Sequence, residues 1–159
     1  MLIIGIDPGS NVAGYALLDH TGQKSVLLEA GTIEPSKSAR FEIRIEKVYN
    51  VLCAILDEYK PDVMVLEKLY THSQYPTTAG VMGHVRGVIC LAAVQKKIEL
   101  VEYSVKRIRK AVAGNGNATK IQTRKVVAHI LKVKEEQMKL DASDAVALAL
   151  GYVSMERKP

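Results

Sequence analysis

Soft metal ligands and cross-linking groups are scarce in this 159-residue chain, which has two cysteines and four histidines. Cys53 and Cys90 each sit inside a helix-like apolar pattern, where cysteine acts as a small hydrophobe. Neither a disulfide framework nor a zinc cluster is available. His20, His72, His84 and His129 lack the spacing of metal ligands and read as surface or packing residues. Long apolar runs are missing too. The nearest approach, "TTAGVMGHVRGVICLAAV", is interrupted by His84 and Arg86, and "MLIIGID" has neither the basic start nor the apolar length of a secretory signal. The expected location is cytoplasmic. There is no internal repeat, low-complexity segment or linker, so residues 1–159 read as a single domain with a real core. With 48% hydrophobic and 25% charged residues, disordered and fibrous classes drop out.

What is present falls into strands first and helices later. "LIIGID" is a β-branched run ended by the turn "DPGS", and "VAGYALLD" and "KSVLLEAGTIEP" complete a three-stranded meander. The period then changes. "SARFEIRIEKVYNVLCAILDEY" sets Phe41, Ile45, Val48, Leu52, Ile55 and Leu56 at helical spacing, with Ser38 as a possible cap and Pro61 as the stop. "DVMVLE" lacks polar alternation and reads as a central strand buried on both faces. A helix from about Thr77 to Lys97, the strand "ELVEY" and three further helices follow. This order predicts an α/β fold, a five-stranded mixed sheet flanked by helices.

Charge is distributed unevenly. Lys plus Arg number 22 against 17 Asp plus Glu, for a net +5. Lys106, Arg107, Arg109, Lys110, Lys120, Arg124 and Lys125 fall within twenty residues, a density that a phosphate backbone would sense. Four acids stand where a core is expected. Asp7 and Glu67 end two apolar strands, at the usual mouth of an α/β site. By alternation Asp7 shares a face with Ile3 and Gly5, and Glu67 shares one with Val63 and Val65. In "KLDASDAVALALGY", Asp141 and Asp144 lie on the helix side of Ala145 and Leu148, which should face the sheet. A helix cap and capping-box partner is one explanation of this pair. The other is that all four carboxylates meet, which is costly without a cation among them. Hard oxygen donors without cysteine or histidine indicate Mg²⁺, with Mn²⁺ as substitute. Two such ions about 3.5–4 Å apart can activate water and stabilise the leaving oxygen of a phosphodiester.

The blocks "IIGIDPGSNVAGYALL", "VLEKLY", "GHVRGVICLAAV", "VEYSVKRIRKAVAGNGNATKIQ" and "LDASDAVALAL" resemble, in order and spacing, the RuvC family of Holliday-junction resolvases over nearly the whole chain. The resemblance implies a ribonuclease H-like fold, a homodimer, and paired symmetric nicking of four-way junction DNA with Mg²⁺, leaving 5′-phosphate and 3′-hydroxyl ends. It puts the family's acidic quartet on Asp7, Glu67, Asp141 and Asp144, its base-stacking aromatic on Tyr70, and two basic positions on Arg109 and Lys120. Tyrosine keeps the π-face that stacking needs. At Arg109 the best-known members carry lysine, and either cation holds phosphate. A branch-migration helicase complex is implied by family alone. Departures are a segment after Tyr70 about one residue longer than the common pattern, containing Pro76, and a short tail beyond Gly151; they bear on junction contacts and cleavage-sequence preference.

Further expectations come from the residues themselves. Asn117 in "GNGNATK" can cap the next helix, whose free N–H groups favour a phosphate. Lys106, Arg107 and Lys110 are candidate DNA contacts, and His72 lies near enough to the site to touch DNA. On the long helix, Val81, Val85, Val88, Ile89 and Ala92 form one apolar stripe, and Met82, Cys90, Leu91 and Ala93 spread the apolar surface further round. Such a helix is buried on more than one side, and Gly83 and Gly87 would permit close helix approach in a dimer. Rival readings are a ribonuclease H-like nuclease acting on RNA–DNA hybrids, a non-catalytic junction binder, and an actin-like sugar kinase, which needs a second domain.

Overall fold

A computed structural model describes residues 1–68 and 76–156. Within them the elements run β1 (Leu2–Asp7), β2 (Ala13–Thr21), β3 (Lys24–Ile33), α1 (Phe41–Tyr59), β4 (Val63–Glu67), α2 (Pro76–Gln95), β5 (Glu99–Tyr103), α3 (Val105–Ala113), α4 (Lys120–Leu131) and α5 (Leu140–Glu156), with a 3₁₀ turn at Glu135–Gln137. The strands form one sheet in the order β3-β2-β1-β4-β5. The meander is antiparallel, whereas β4 lies parallel to both β1 and β5. The expected mixed five-stranded sheet is therefore present, with β4 between two neighbours as its unbroken apolar sequence requires.

Alternation along the strands splits the core into two layers. Ile3, Ala16, Leu18, Val63 and Val65 face α3, α4 and α5. Ile4, Ile6, Leu17, Met64 and Leu66 face α1 and α2. The register pairs Ile3 with Val63 and Gly5 with Val65, so the ends of β1 and β4 point their last side chains to the same layer.

Three capping expectations need correction. Arg40, not Ser38, precedes α1, and no side chain caps that end; α1 stops at Lys60 in the left-handed region (φ 49°), just before Pro61. Asp141 lies inside the first turn of α5 rather than at its cap. Asn117 does not cap α4; Thr119 does, in a reciprocal capping box with Gln122. Helix α2 starts and ends close to its expected bounds and docks on the sheet through Val85, Ile89, Ala92 and Ala93. By length and composition alone it could cross a membrane. Its opposite side leaves Gly80, Gly83, Gly87, Leu91 and Val94 exposed.

Helix α5 supplies most of one layer, because nearly every residue from Ala142 to Val153 is buried. Two glycines let it lie on the strands without a side chain between. A Cβ on Gly5 would sit 2.1 Å from the carbonyl oxygen of Ala145, and one on Gly14 would sit 2.2 Å from that of Asp141. Gly14 is also the register partner of Asp7. The close approach thus sets where the first turn of α5 stands relative to the end of β1. Gly14→Ala should cost about 1–3 kcal/mol by overpacking and reduce activity more than thermal melting suffers. Melting curves and nuclease rates on the same preparation check this.

Candidate active site

Three chain segments bring carboxylates to one end of the sheet. Asp7 ends β1, Glu67 ends β4, and the N-terminal end of α5 presents Asp141 in its first turn and Asp144 just beyond it. Oxygen atoms of Asp7, Asp141 and Asp144 all lie within 4.8 Å of one another. Glu67 joins them through a side-chain hydrogen bond with Asp7. All four line a cleft of about 450 Å³, together with Pro8, Val12, Val105, Ile108, Arg109, Lys120, Thr123, Ala147 and Leu148.

The electrostatics are those of a site short of positive charge. Burial, the hydrogen bond that the protonated Asp7 donates to Glu67 and the charges of Glu67 and Asp144 push the Asp7 carboxyl up to about 8. The Lys120 ammonium pairs with Asp144 Oδ2. Burial works against that ammonium, yet Asp144, Asp7 and Asp141 together raise its pKa above the usual lysine value. Lys120 is the first residue of α4, where the helix dipole disfavours a cation, so its position depends on the acids it faces. Asp144 Oδ2 is sealed from solvent, with the Lys120 ammonium as its counter-charge. Hard oxygen donors crowded within 4.8 Å of one another and a carboxyl driven to hold its proton fit a divalent cation of the Mg²⁺ class.

The remaining sequence candidates divide. Arg109 and Lys120 line the cleft. Lys106, Arg107 and Lys110 stand on the exposed side of α3, where the guanidinium of Arg107 lies over the Tyr103 ring at 4.9 Å. Arg124 bonds Glu135 at 2.8 Å and stitches α4 to the turn before α5. Tyr70 and His72 lie outside the described residues. His20 bonds Ser25 at 3.0 Å and His84 meets the Phe41 ring edge-on at 5.7 Å, the packing roles expected of them.

Two residues escaped the sequence reading. Thr123, 2% exposed, closes the cleft floor and gives its hydroxyl to the Thr119 carbonyl. Arg86 reaches the backbone of Glu67. The only hint of it was a charge inside an apolar helix.

Residues 3–152 match the family model described as crossover junction endodeoxyribonuclease RuvC. The protein of that name from Rhodopirellula baltica is 37% identical over 148 residues, 93% of this chain and 83% of its own length. That from Legionella pneumophila (strain Corby) is 34% identical over 154 residues, 97% and 87% respectively. Thermus thermophilus RuvC in complex with Holliday junction substrate superposes with a TM-score of 0.90 at 25% identity, over 99% of this chain and 95% of that one.

The raised Asp7 carboxyl carries a sign. Its proton-bound form stabilises the metal-free fold below about pH 4, and that contribution is lost as the pH rises through about 8. Metal-free Asp7→Asn should therefore melt above the parent, by a gap that widens from pH 4 to pH 8 and reaches roughly 3–6 °C. Excess Mg²⁺ should close that gap by stabilising the parent alone. Calorimetry across the pH series reads both effects.

Proposed function

The chain belongs to the RuvC family of crossover junction endodeoxyribonucleases, and from that premise we propose that it resolves four-way DNA junctions by paired symmetric nicks in homologous recombination and repair. The observation that carries the reading is the convergence of Asp7, Asp141 and Asp144, with Glu67 bonded to Asp7, in a cleft that also holds Arg109 and Lys120. The family is a group of metal-dependent nucleases with a ribonuclease H-like fold. Residues 1–159 act as one nuclease domain in this reading.

Asp7, Glu67, Asp141 and Asp144 would hold two divalent ions, Mg²⁺ with Mn²⁺ as substitute. Bound there, such ions activate water for in-line attack and stabilise the leaving oxygen. The protein's own part is placement. The sheet ends and α5 fix four acids that would otherwise repel one another apart. Lys120 neutralises Asp144 until other positive charge replaces it, and its ammonium is then available to a phosphate. Arg109, also in the cleft lining, offers a planar fork suited to the same group. Lys106, Arg107 and Lys110 supply sequence-blind, salt-sensitive affinity along α3. Tyr70 is assigned base stacking near the crossover from its sequence position alone.

A four-way junction presents two equivalent strands, which two copies of one active site match by symmetry. The exposed stripe Gly80, Gly83, Gly87, Leu91 and Val94 supports a homodimer through α2, because glycines allow backbones to approach and the last two offer apolar surface. A branch-migration helicase is the further partner, and a cytoplasmic location goes with a DNA substrate.

With Mg²⁺, the protein should cut a synthetic four-way junction at paired symmetric sites, and EDTA should stop it. Asp7→Asn should bind the junction yet cut it roughly 1,000-fold more slowly or worse. Equal cutting of an RNA–DNA hybrid and a linear duplex would overturn the junction reading. Replacing Lys106, Arg107 or Lys110 by alanine should weaken junction binding without regard to sequence and lower the salt slope by about 1 per residue. Titrations between 50 and 200 mM salt measure that slope.

A further inference from the structure

Asp7, Asp141 and Asp144 converge tightly, and Glu67 joins them through its bond to Asp7. Its reach into the cluster depends on how the end of β4 is held. The ladder to β1 stops at Ile6 and Leu66, one residue short of Glu67. On the other flank Glu67 pairs with Tyr103, and the Lys68 N–H bonds the Tyr103 carbonyl at 2.9 Å. Arg86 of α2 adds a third hold. One guanidinium nitrogen donates to the main-chain oxygen of Glu67, and the other pairs with the Glu102 carboxylate on β5.

The direction of that grip matters. Helix α2 packs on the layer of Ile4, Ile6, Met64 and Leu66, whereas the Glu67 side chain points into the opposite layer, toward α5. Arg86 therefore works from the far face of the sheet and is absent from the cleft lining. Its side chain is 12% exposed, and burying a guanidinium on an apolar helix is costly unless it is paired. Glu102 supplies the pairing. The second nitrogen is committed to a neutral carbonyl at the strand end that bears a site carboxylate, and a guanidinium can hold two acceptors set apart where an ammonium cannot.

We propose that Arg86 is a positioning residue: by gripping the Glu67 carbonyl from behind the sheet, it fixes the Glu67 carboxylate within reach of a divalent ion at the acidic cluster. This rests on the reading of Glu67 as a metal ligand. The role is exercised through the main chain, so removing Arg86 should loosen the ion without touching the DNA-binding surface.

Mn²⁺ binding to the DNA-free protein, followed by electron paramagnetic resonance, tests this apart from activity. Arg86→Gln should weaken Mn²⁺ about tenfold and lower kcat on the junction, with KM and junction affinity in EDTA within twofold of the parent. Arg86→Lys should recover part of the loss, and Glu102→Gln, which leaves the guanidinium in place, should fall between. In combination with Glu67→Gln, the Arg86→Gln change should add nothing further, because both act on one carboxylate. Parental Mn²⁺ affinity in Arg86→Gln, or additive losses in the double variant, would overturn the proposal while leaving Glu67 a ligand. Unchanged affinity in Glu67→Gln would overturn both. If Arg86→Gln fails to fold, Glu102→Gln and Arg86→Lys decide the matter, and parental Mn²⁺ affinity in both counts against it.

Discussion

Four carboxylates at one end of a sheet repel one another, and the architecture around them is arranged to hold them there. Two unit charges 4 Å apart interact by about 4 kcal/mol at an effective dielectric near 20. Asp7 shows the strain most directly, since its carboxyl holds its proton up to about pH 8. Nothing in the local sequence of β1 opposes this. The resistance comes from strands and helices whose apolar burial is large enough to absorb it.

Helix α5 is the main source of that burial and also carries two of the four acids. Its apolar length presses it onto Ile3, Val63 and Val65, while Gly5 and Gly14 remove the side chains that would keep it away. Stability and site geometry are therefore set by the same contact. Lys120 provides local relief: its pairing with Asp144 places a cation inside the cluster at the cost of standing at the positive end of α4.

Most of this was legible in the sequence because it follows from periodicity. Strand alternation placed Asp7 and Glu67 on one face, and helical spacing placed Asp141 and Asp144 beside Ala145. Capping was harder to read. Asp141, Asn117 and Ser38 all have the right chemistry for caps, but each helix starts where its tertiary packing begins, and Thr119 with Gln122 satisfies the α4 end instead. The close approach at Gly14 and the reach of Arg86 to Glu67 were illegible for a different reason. Both depend on distances between segments far apart in the chain, and a single sequence carries no signal of them beyond an unremarkable glycine and a charge in an apolar helix.

The balance of charge explains why an acidic centre can serve a polyanion. A phosphate entering the cleft meets carboxylates first, and without compensation it would be repelled more strongly the less water remains. The chain's net +5 is too diffuse to answer this, because exposed charges beyond about 10 Å are largely screened. Compensation has to be local. Arg109 and Lys120 stand in the wall of the cleft, and one of them is already engaged by Asp144. Among the described residues two cations stand against four acids in the cleft lining, and the Asp7 carboxyl, driven to keep its proton, marks where the deficit falls. Divalent charge held by these acids would lessen the repulsion, favour the ionised form of Asp7 and free Lys120 from Asp144. Metal binding and phosphate binding would then be coupled by the same electrostatics, and a phosphodiester would be favoured in the metal-loaded state.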